Sequence, residues 1–362
     1  MPENLLWWIV GAVVLFAGIA VAAAMVNQGV VDYDALTQRL RRQRPHRDSF
    51  RDTPVVSDEP PRRAAVIVNP TKVDDLSEVR ARIAGVCAAH GWGPPIWAET
   101  TAEEPGTAQA RQAVLDGAVL VCPLGGDGTV RAVAKALVDT ETPLGLLPGG
   151  TGNLLARNLD LPLDSVEKAL VVALTGHNKS VDVGQIIIDR GNGAEPEEDT
   201  FLVMAGIGFD AAVMAGAPEH LKRQVGNAAY ILAGLRNMKG PQFKARMSVD
   251  GGMDFTRRTR TVLLGNCGKI FGGLEAKLDD GLIDAVAMSP KGIVGWTAVL
   301  ARIVSRQRKG HPIVDHHTGR EIRVRMDRPE ELQLDGDTLG PVRSVTASVR
   351  SGALVVRVAG SG

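Results

Sequence analysis

Two glycine-rich turns constrain this chain more than any other feature. Gly125-Gly126-Asp127-Gly128-Thr129 follows the apolar run Ala118–Pro123, and Gly149-Gly150-Thr151-Gly152-Asn153 follows the run Leu144–Leu147. After the first turn, Val130, Val133, Ala134 and Leu137 recur at helical spacing. Upstream, the pattern predicts a strand over Ala64–Val68, a helix over Leu76–Ala89, a strand over Ile96–Ala98 and a helix over Thr107–Leu115; downstream it predicts a helix over Leu163–Leu174. Strands alternating with helices predict an α/β domain, a parallel sheet with helices on both faces. The carboxyl ends of such strands form the ligand crevice. Glycines let backbone N–H groups approach a phosphate closely, and a helix N-terminus favours the anion. The pair of turns therefore predicts a nucleotide-phosphate site. Asp127 would repel phosphates unless a cation intervened, which points to Mg²⁺. Thr129 and Thr151 can donate to phosphate oxygens.

After about Thr175 the pattern changes to period-2 runs. These are Val181–Ile188, Thr200–Ala205, Lys244–Val249, Arg258–Asn266, Ile283–Met288, Glu321–Met326, Leu332–Leu334, Ser344–Val349 and Ala353–Val358. They predict a mostly antiparallel β second domain, interrupted by helices over Val225–Asn237 and Ile293–Gln307. The acidic stretch Gly191–Asp199 reads as a solvated loop, Gly206-Ile207-Gly208 as a tight turn, and His316-His317 as solvated. The N-terminus is uncharged from Leu5 to Met25 and carries Trp7 and Trp8. That run is long enough for a single transmembrane helix. Beyond it, between Leu36 and Arg47, lie Arg39, Arg41, Arg42, Arg44 and Arg47, with no acid. The positive-inside rule would leave the C-terminal bulk cytoplasmic, with the arginines beside anionic lipid headgroups. The expected organisation is an anchor over 1–26, a basic, Pro-containing linker over 27–63, an α/β domain over 64–178 and a β-rich domain over 179–362. Lys and Arg total 41 against 41 Asp and Glu, so nucleic acid is not an expected partner. Cys87, Cys122 and Cys267 are widely spaced and read as inert thiols, not a disulfide framework or zinc site.

The Gly125–Thr129 turn, followed by Leu144–Leu159 (LGLLPGGTGNLLARNL), resembles the diacylglycerol kinase catalytic domain, a family that includes bacterial lipid kinases and the sphingosine and ceramide kinases. The resemblance extends to Asn69-Pro70-Thr71, Val181-Asp182-Val183-Gly184, Gly272-Gly273, Asp279 to Asp284 and Asp335-Gly336-Asp337. It implies an ATP-dependent lipid kinase of two domains, with a membrane lipid as substrate, diacylglycerol foremost, and Mg²⁺. Asn69, Pro70, Thr71, Lys72, Thr101, Gly125, Gly126, Asp127, Gly128, Thr129, Gly150, Thr151, Gly152 and Asn153 match nucleotide-contacting stretches. Asp280, with the carbonyls of Lys277 and Leu282, matches a metal position. Asp337 stands where the family places a glutamate general base, and Asp127 is the second catalytic candidate. Leu154 stands where many bacterial members carry Asp, and Arg131-Ala132 where many carry Asn-Glu; Arg131 could then meet phosphate. A sphingoid or glycolipid acceptor, NAD, and a non-catalytic nucleotide- or lipid-binding role remain alternatives, and a homodimer stays open.

Overall fold

Strand β1 (Arg63–Val68) buries all five of its apolar residues, as a strand covered on both faces must. In the computed structural model, which describes residues 61–208, 242–266, 268–269, 275–276, 278–289 and 314–360, β1 lies between β2 (Ile96–Glu99) and β3 (Ala118–Gly125). With β4 (Leu147–Pro148) they form a parallel sheet of order β2-β1-β3-β4. Helices α1 (Leu76–Ala89) and α5 (Val166–Thr175) cover one face. They start at Asp75 and Ser165, whose side chains accept from the N–H of Glu78 and Lys168. Val79, Ile83, Leu170 and Ala173 pack there on Ala64, Val66 and Leu120. Helices α2 (Thr107–Leu115) and α3 (Asp127–Leu137) cover the other face, with Ala110, Val133 and Leu137 against Ala65, Ile67 and Val121. The short helix α4 (Leu154–Asn158) follows the second glycine turn.

The second layer is an antiparallel sheet. Its strands are β5 (His177–Asp189), β6 (Glu197–Phe201), β7 (Met204–Gly208), β8 (Phe243–Val249), β9 (Phe255–Thr259), β10 (Thr261–Gly265), β13 (Ile283–Met288), β14 (Val314–Gly319), β15 (Glu321–Leu334) and β16 (Asp337–Val358). The order is β14-β13-β10-β7-β15-β16-β5-β6, with β8 on β15 and β9 on β8. A separate pair, β11 (Gly268–Lys269) and β12 (Glu275–Ala276), stands apart from it. Alternate residues such as Ile322, Val324, Ala245 and Met247 fill its core. The far end of β16 leaves that core. Leu354, Val356 and Val358 join the α2/α3 side of the first domain, where Leu144 N–H donates to the Val355 carbonyl at 2.8 Å and Arg357 N–H to the Leu144 carbonyl at 2.9 Å.

Several expectations change. No helix among the described residues is long and apolar enough to cross a membrane, and Leu5–Met25 lies outside those residues, so the single-pass membrane placement with a cytoplasmic catalytic part is withdrawn. The helices expected over Val225–Asn237 and Ile293–Gln307 also lie outside the described residues. The Leu144–Leu147 strand contracts to Leu147–Pro148, because Leu144 is taken up by single bridges to Val121 and Val356. Gly206–Gly208 lies in β7 and is no turn. The acidic loop ends in β6, with Asp199 facing α3. His316 is exposed, as expected, and pairs with Asp284 at 2.6 Å, whereas His317 is partly buried and packs on Phe255; both stand in a strand absent from the sequence reading.

Candidate active site

The carboxyl ends of β1, β3 and β4 meet at the glycine turns. Asn69 leaves β1 with its N–H donating to the Leu124 carbonyl at 2.9 Å. Its Oδ1 accepts from the Thr71 N–H and hydroxyl at 3.0 and 2.8 Å, shaping the 3-10 turn Pro70–Lys72. Thr101 makes a turn after β2, its hydroxyl accepting from Glu104 N–H at 3.1 Å. Gly125-Gly126 passes directly into α3, whose N-cap Gly126 contributes no side-chain cap. The first N–H groups of α3 are thus left for an outside acceptor, and a Cβ on Gly126 would meet open space. The two turns lie backbone against backbone: a Cβ on Gly149 would stand 2.7 Å from Gly125 N, and one on Gly150 2.7 Å from Gly126 Cα. Thr129 is buried beneath Gly125, whereas Thr151 is exposed at the tip of the second turn.

Asp127 ties the turns together. Its Oδ1 accepts from Leu154 N–H at 2.6 Å, and its Oδ2 occupies the space that a Cβ on Gly152 would need. Burial raises its carboxyl to about 6; the charges of Asp335 and Asp337 add to the rise, and hydrogen bonds from Leu154 and Asn153 N–H oppose it. Asn153, in the left-handed region at φ 48°, closes the second turn on itself. Its amide donates to the Gly150 carbonyl at 2.8 Å and accepts from Gly150 N–H at 3.2 Å. Leu154 thus enters the site through its backbone.

Asp335-Gly336-Asp337 forms the tip between β15 and β16 and divides its labour. Asp335 is buried and accepts from the N–H groups of Leu202, Val203 and Met204 at 2.8, 2.8 and 3.0 Å. Burial pushes its carboxyl up against the pull of those donors. Asp337 is half exposed and turns to the first domain, pairing with Arg131 at 3.2 Å. It lies so close to the first turn of α3 that a Cβ on Gly128 would collide with its Oδ2. A cavity of about 250 Å³ opens beside this pair, lined by Gly128, Arg131, Lys135, Asp199 and Asp337 among others. Arg131 meets two carboxylates there instead of standing free for a phosphate.

The structure therefore brings Asp127, Gly125–Thr129, Gly150–Asn153 and Asp337 into one place, with Asn69–Lys72 and Thr101 on the same edge. The metal candidates sit in a different arrangement. Asp280 and Leu282 share the turn before β13, where Asp280 Oδ1 accepts from Leu282 N–H at 3.1 Å; Lys277 lies outside the described residues. Buried Asp182 ties that turn to β16 by accepting from Gly281 and Gly352 N–H, each at 2.7 Å. Among the described residues, no group of three or more His, Cys, Asp or Glu side chains is placed to hold a metal ion. The sequence reading missed Asp199 as a site residue, because nothing in an acidic run marks the one carboxylate with a distant cation. Cys87 and Cys122 are buried, and burial pushes both thiols up; Cys267 lies outside the described residues.

Residues 63–186 match the family model of the diacylglycerol kinase catalytic domain, and residues 203–358 match that of the YegS C-terminal NAD kinase beta sandwich-like domain. The chain belongs to the diacylglycerol kinase catalytic-domain family. Similar members of this family include the diacylglycerol kinase of Bacillus subtilis (strain 168), 26% identical over 76% of this chain and 90% of that protein. A "Probable lipid kinase YegS-like" protein of Pseudomonas savastanoi pv. phaseolicola is 37% identical over 47% of this chain and 54% of its own length. The chain spans about half the length of several curated relatives it matches. The fold is that of a Bacillus anthracis str. Sterne protein described as a "putative diacylglycerol kinase", with a TM-score of 0.66 at 23% identity. That likeness covers 84% of this chain and 99% of that structure.

Proposed function

We propose that this chain is an ATP-dependent lipid kinase that transfers the terminal phosphate of ATP to a lipid hydroxyl, with diacylglycerol as acceptor and phosphatidic acid as product. The observation that carries the reading is the Asp337 carboxylate lying against the first turn of α3. A base beside an anion cradle is what attack by a hydroxyl on a phosphoryl group requires. The carboxylate takes the hydroxyl proton as the oxygen approaches phosphorus. The uncapped α3 N-terminus and the open space over Gly126 suit the ATP phosphates. Asp127, as the carboxylate beside those phosphates, would help to hold Mg²⁺ there. When bound, it would neutralise charge on the transferred group.

The test is label transfer from γ-labelled ATP and Mg²⁺ to diacylglycerol in mixed micelles by the full chain, beside Asp337→Asn. Labelled phosphatidic acid, reduced about 10²- to 10⁴-fold in the variant, is the expected result. Label equal in both would discard Asp337 as the base. Bound ATP without label in phosphatidic acid would overturn diacylglycerol as acceptor; absence of label from sphingoid and glycolipid acceptors as well would overturn the kinase reading.

A further inference from the structure

Arg131 makes more connections than packing asks of it. Its side chain is 13% exposed and leaves α3 to reach two strands of the second domain. One arm of the guanidinium donates to Asp199 Oδ2 in β6 at 3.0 Å, and the other to Asp337 Oδ2 at the start of β16 at 3.2 Å. The Nε–H is buried without a hydrogen-bond partner, a cost that an apolar residue in the same space would avoid. Lys135, one turn further along α3, holds the other oxygen of Asp199 at 3.0 Å and reaches the Glu198 carbonyl at 3.4 Å. Asp199 is therefore fixed by two cations, and the guanidinium plane by Asp199. The remaining arm carries Asp337, for which Arg131 is the one cationic side chain within 4.0 Å among the described residues. Asp337 follows Gly336, at φ 98°, on an exposed hairpin tip, so its own strand leaves the side chain several rotamers.

We propose that Arg131, braced by Asp199 and Lys135, is the positioning residue that sets the Asp337 carboxylate against the first turn of α3, at the mouth of the cavity where the acceptor hydroxyl enters. This inference rests on the lipid-kinase reading. The guanidinium suits the task because its planar fork holds two carboxylates at once, whereas a lysine ammonium is a point charge on a flexible stem. A base misplaced by about 1 Å can cost about 10²-fold in rate, so the brace acts on turnover, leaving nucleotide binding to the glycine turns.

Steady-state kinetics with ATP and lipid on the full chain would test this, comparing Arg131→Gln, Arg131→Lys, Asp199→Asn, Asp337→Asn and the double variant R131Q/D337N. Arg131→Gln should lower kcat about ten- to a hundredfold with the KM for ATP within about twofold. Arg131→Lys should fail to restore it, and Asp199→Asn should move kcat the same way by less. The double variant should be no slower than Asp337→Asn alone, since a residue acting through Asp337 has nothing left to position. Multiplying losses in the double variant, or a raised KM for ATP at constant kcat, would overturn the proposal. Should the wild-type chain phosphorylate no lipid, the kinase reading falls on its own. The thermal midpoints of the same four-member cycle then decide the brace: non-additive shifts support it and additive shifts sink it.

Discussion

Asp127→Asn should make this protein more stable at neutral pH while removing its activity. The Asp127 carboxyl is raised from an ordinary 3.8 to about 6, chiefly by burial. The folded chain therefore holds that proton more tightly than the unfolded chain. Between about pH 4 and 6 the native state binds more protons, so stability falls as pH rises through that window. The full shift is worth about 3 kcal/mol, and less here because solvent still reaches part of the side chain. Asn cannot ionise, and its Oδ1 still accepts from Leu154 N–H where the carboxylate oxygen does now. Replacing a charged acceptor by a neutral one gives back about 1 kcal/mol. The remainder is a gain of about 1–2 kcal/mol at pH 7.5, which for a chain of this size raises Tm by about 1–3 °C. Thermal unfolding of both proteins from pH 4 to 8 measures it: the Tm difference should be largest above pH 7 and shrink toward pH 4. A lower Tm for the variant at pH 7.5, or a difference that ignores pH, would refute the reasoning. Lost phosphoryl transfer alongside higher stability would mark Asp127 as a residue kept for function at the expense of the fold.

Three further outcomes follow from single contacts. Gly128→Ala puts a methyl where Asp337 Oδ2 now lies; half-exposed Asp337 can turn away, so kcat should fall about 10²-fold with little change in Tm, and an unchanged kcat would remove Asp337 from the reaction. Asp335→Asn leaves at least one of the three N–H groups of Leu202, Val203 and Met204 facing an amide NH₂; a loss of about 1–3 kcal/mol should appear in the denaturant midpoint, and an unmoved midpoint would deny that Asp335 holds the hairpin. Asp182→Ala strips the acceptor from Gly281 and Gly352 N–H; those two amides should exchange with solvent markedly faster than in the wild type, and unchanged protection would show another acceptor holding them.

Local chemistry made part of this fold legible. The expected bounds of α1, α2 and β13 match the structure, because their apolar spacing reports the buried face without reference to distant residues. The glycine turns are legible for the same reason: Gly149 and Gly150 are required where backbone meets backbone, against Gly125 and Gly126, and Gly125 where the Thr129 side chain packs on it. What the sequence hid depends on partners far along the chain. The run Thr200–Ala205 reads as one strand, yet it divides into β6 and β7 where Asp335 gathers the N–H groups of Leu202, Val203 and Met204. Ser344–Val349 and Ala353–Val358 read as two strands, yet both belong to β16, whose register against β5 shifts between Arg350 and Leu354. There Gly352, at φ 62°, gives its N–H to Asp182. Asp199 looked like one more solvated acid, and its partners Arg131 and Lys135 lie 68 and 64 residues away on α3.

Strand β16 explains how the Asp337 carboxylate on one sheet stays aimed at the glycine turns on another. It begins at Asp337, beside α3, and its early residues Val342, Val345 and Ala347 pack in the core of the antiparallel sheet. Its last residues Leu354, Val356 and Val358 pack in the core of the parallel one. Leu144, the residue before the Gly145–Leu147 approach to the second glycine turn, is hydrogen-bonded to it on both sides through Val355 and Arg357. A slip of one residue anywhere along this strand would turn buried side chains to the opposite face, in either core. The Asp335 clamp and the Arg131 pair complete the placement of Asp337 at the head of this strand. Glycine turns and carboxylate then belong to one continuous hydrogen-bonded framework. In such a framework the distance between them is a property of packing, and it is the reason a single methyl at Gly128 or a shortened arm at position 131 should register in turnover before it registers in stability.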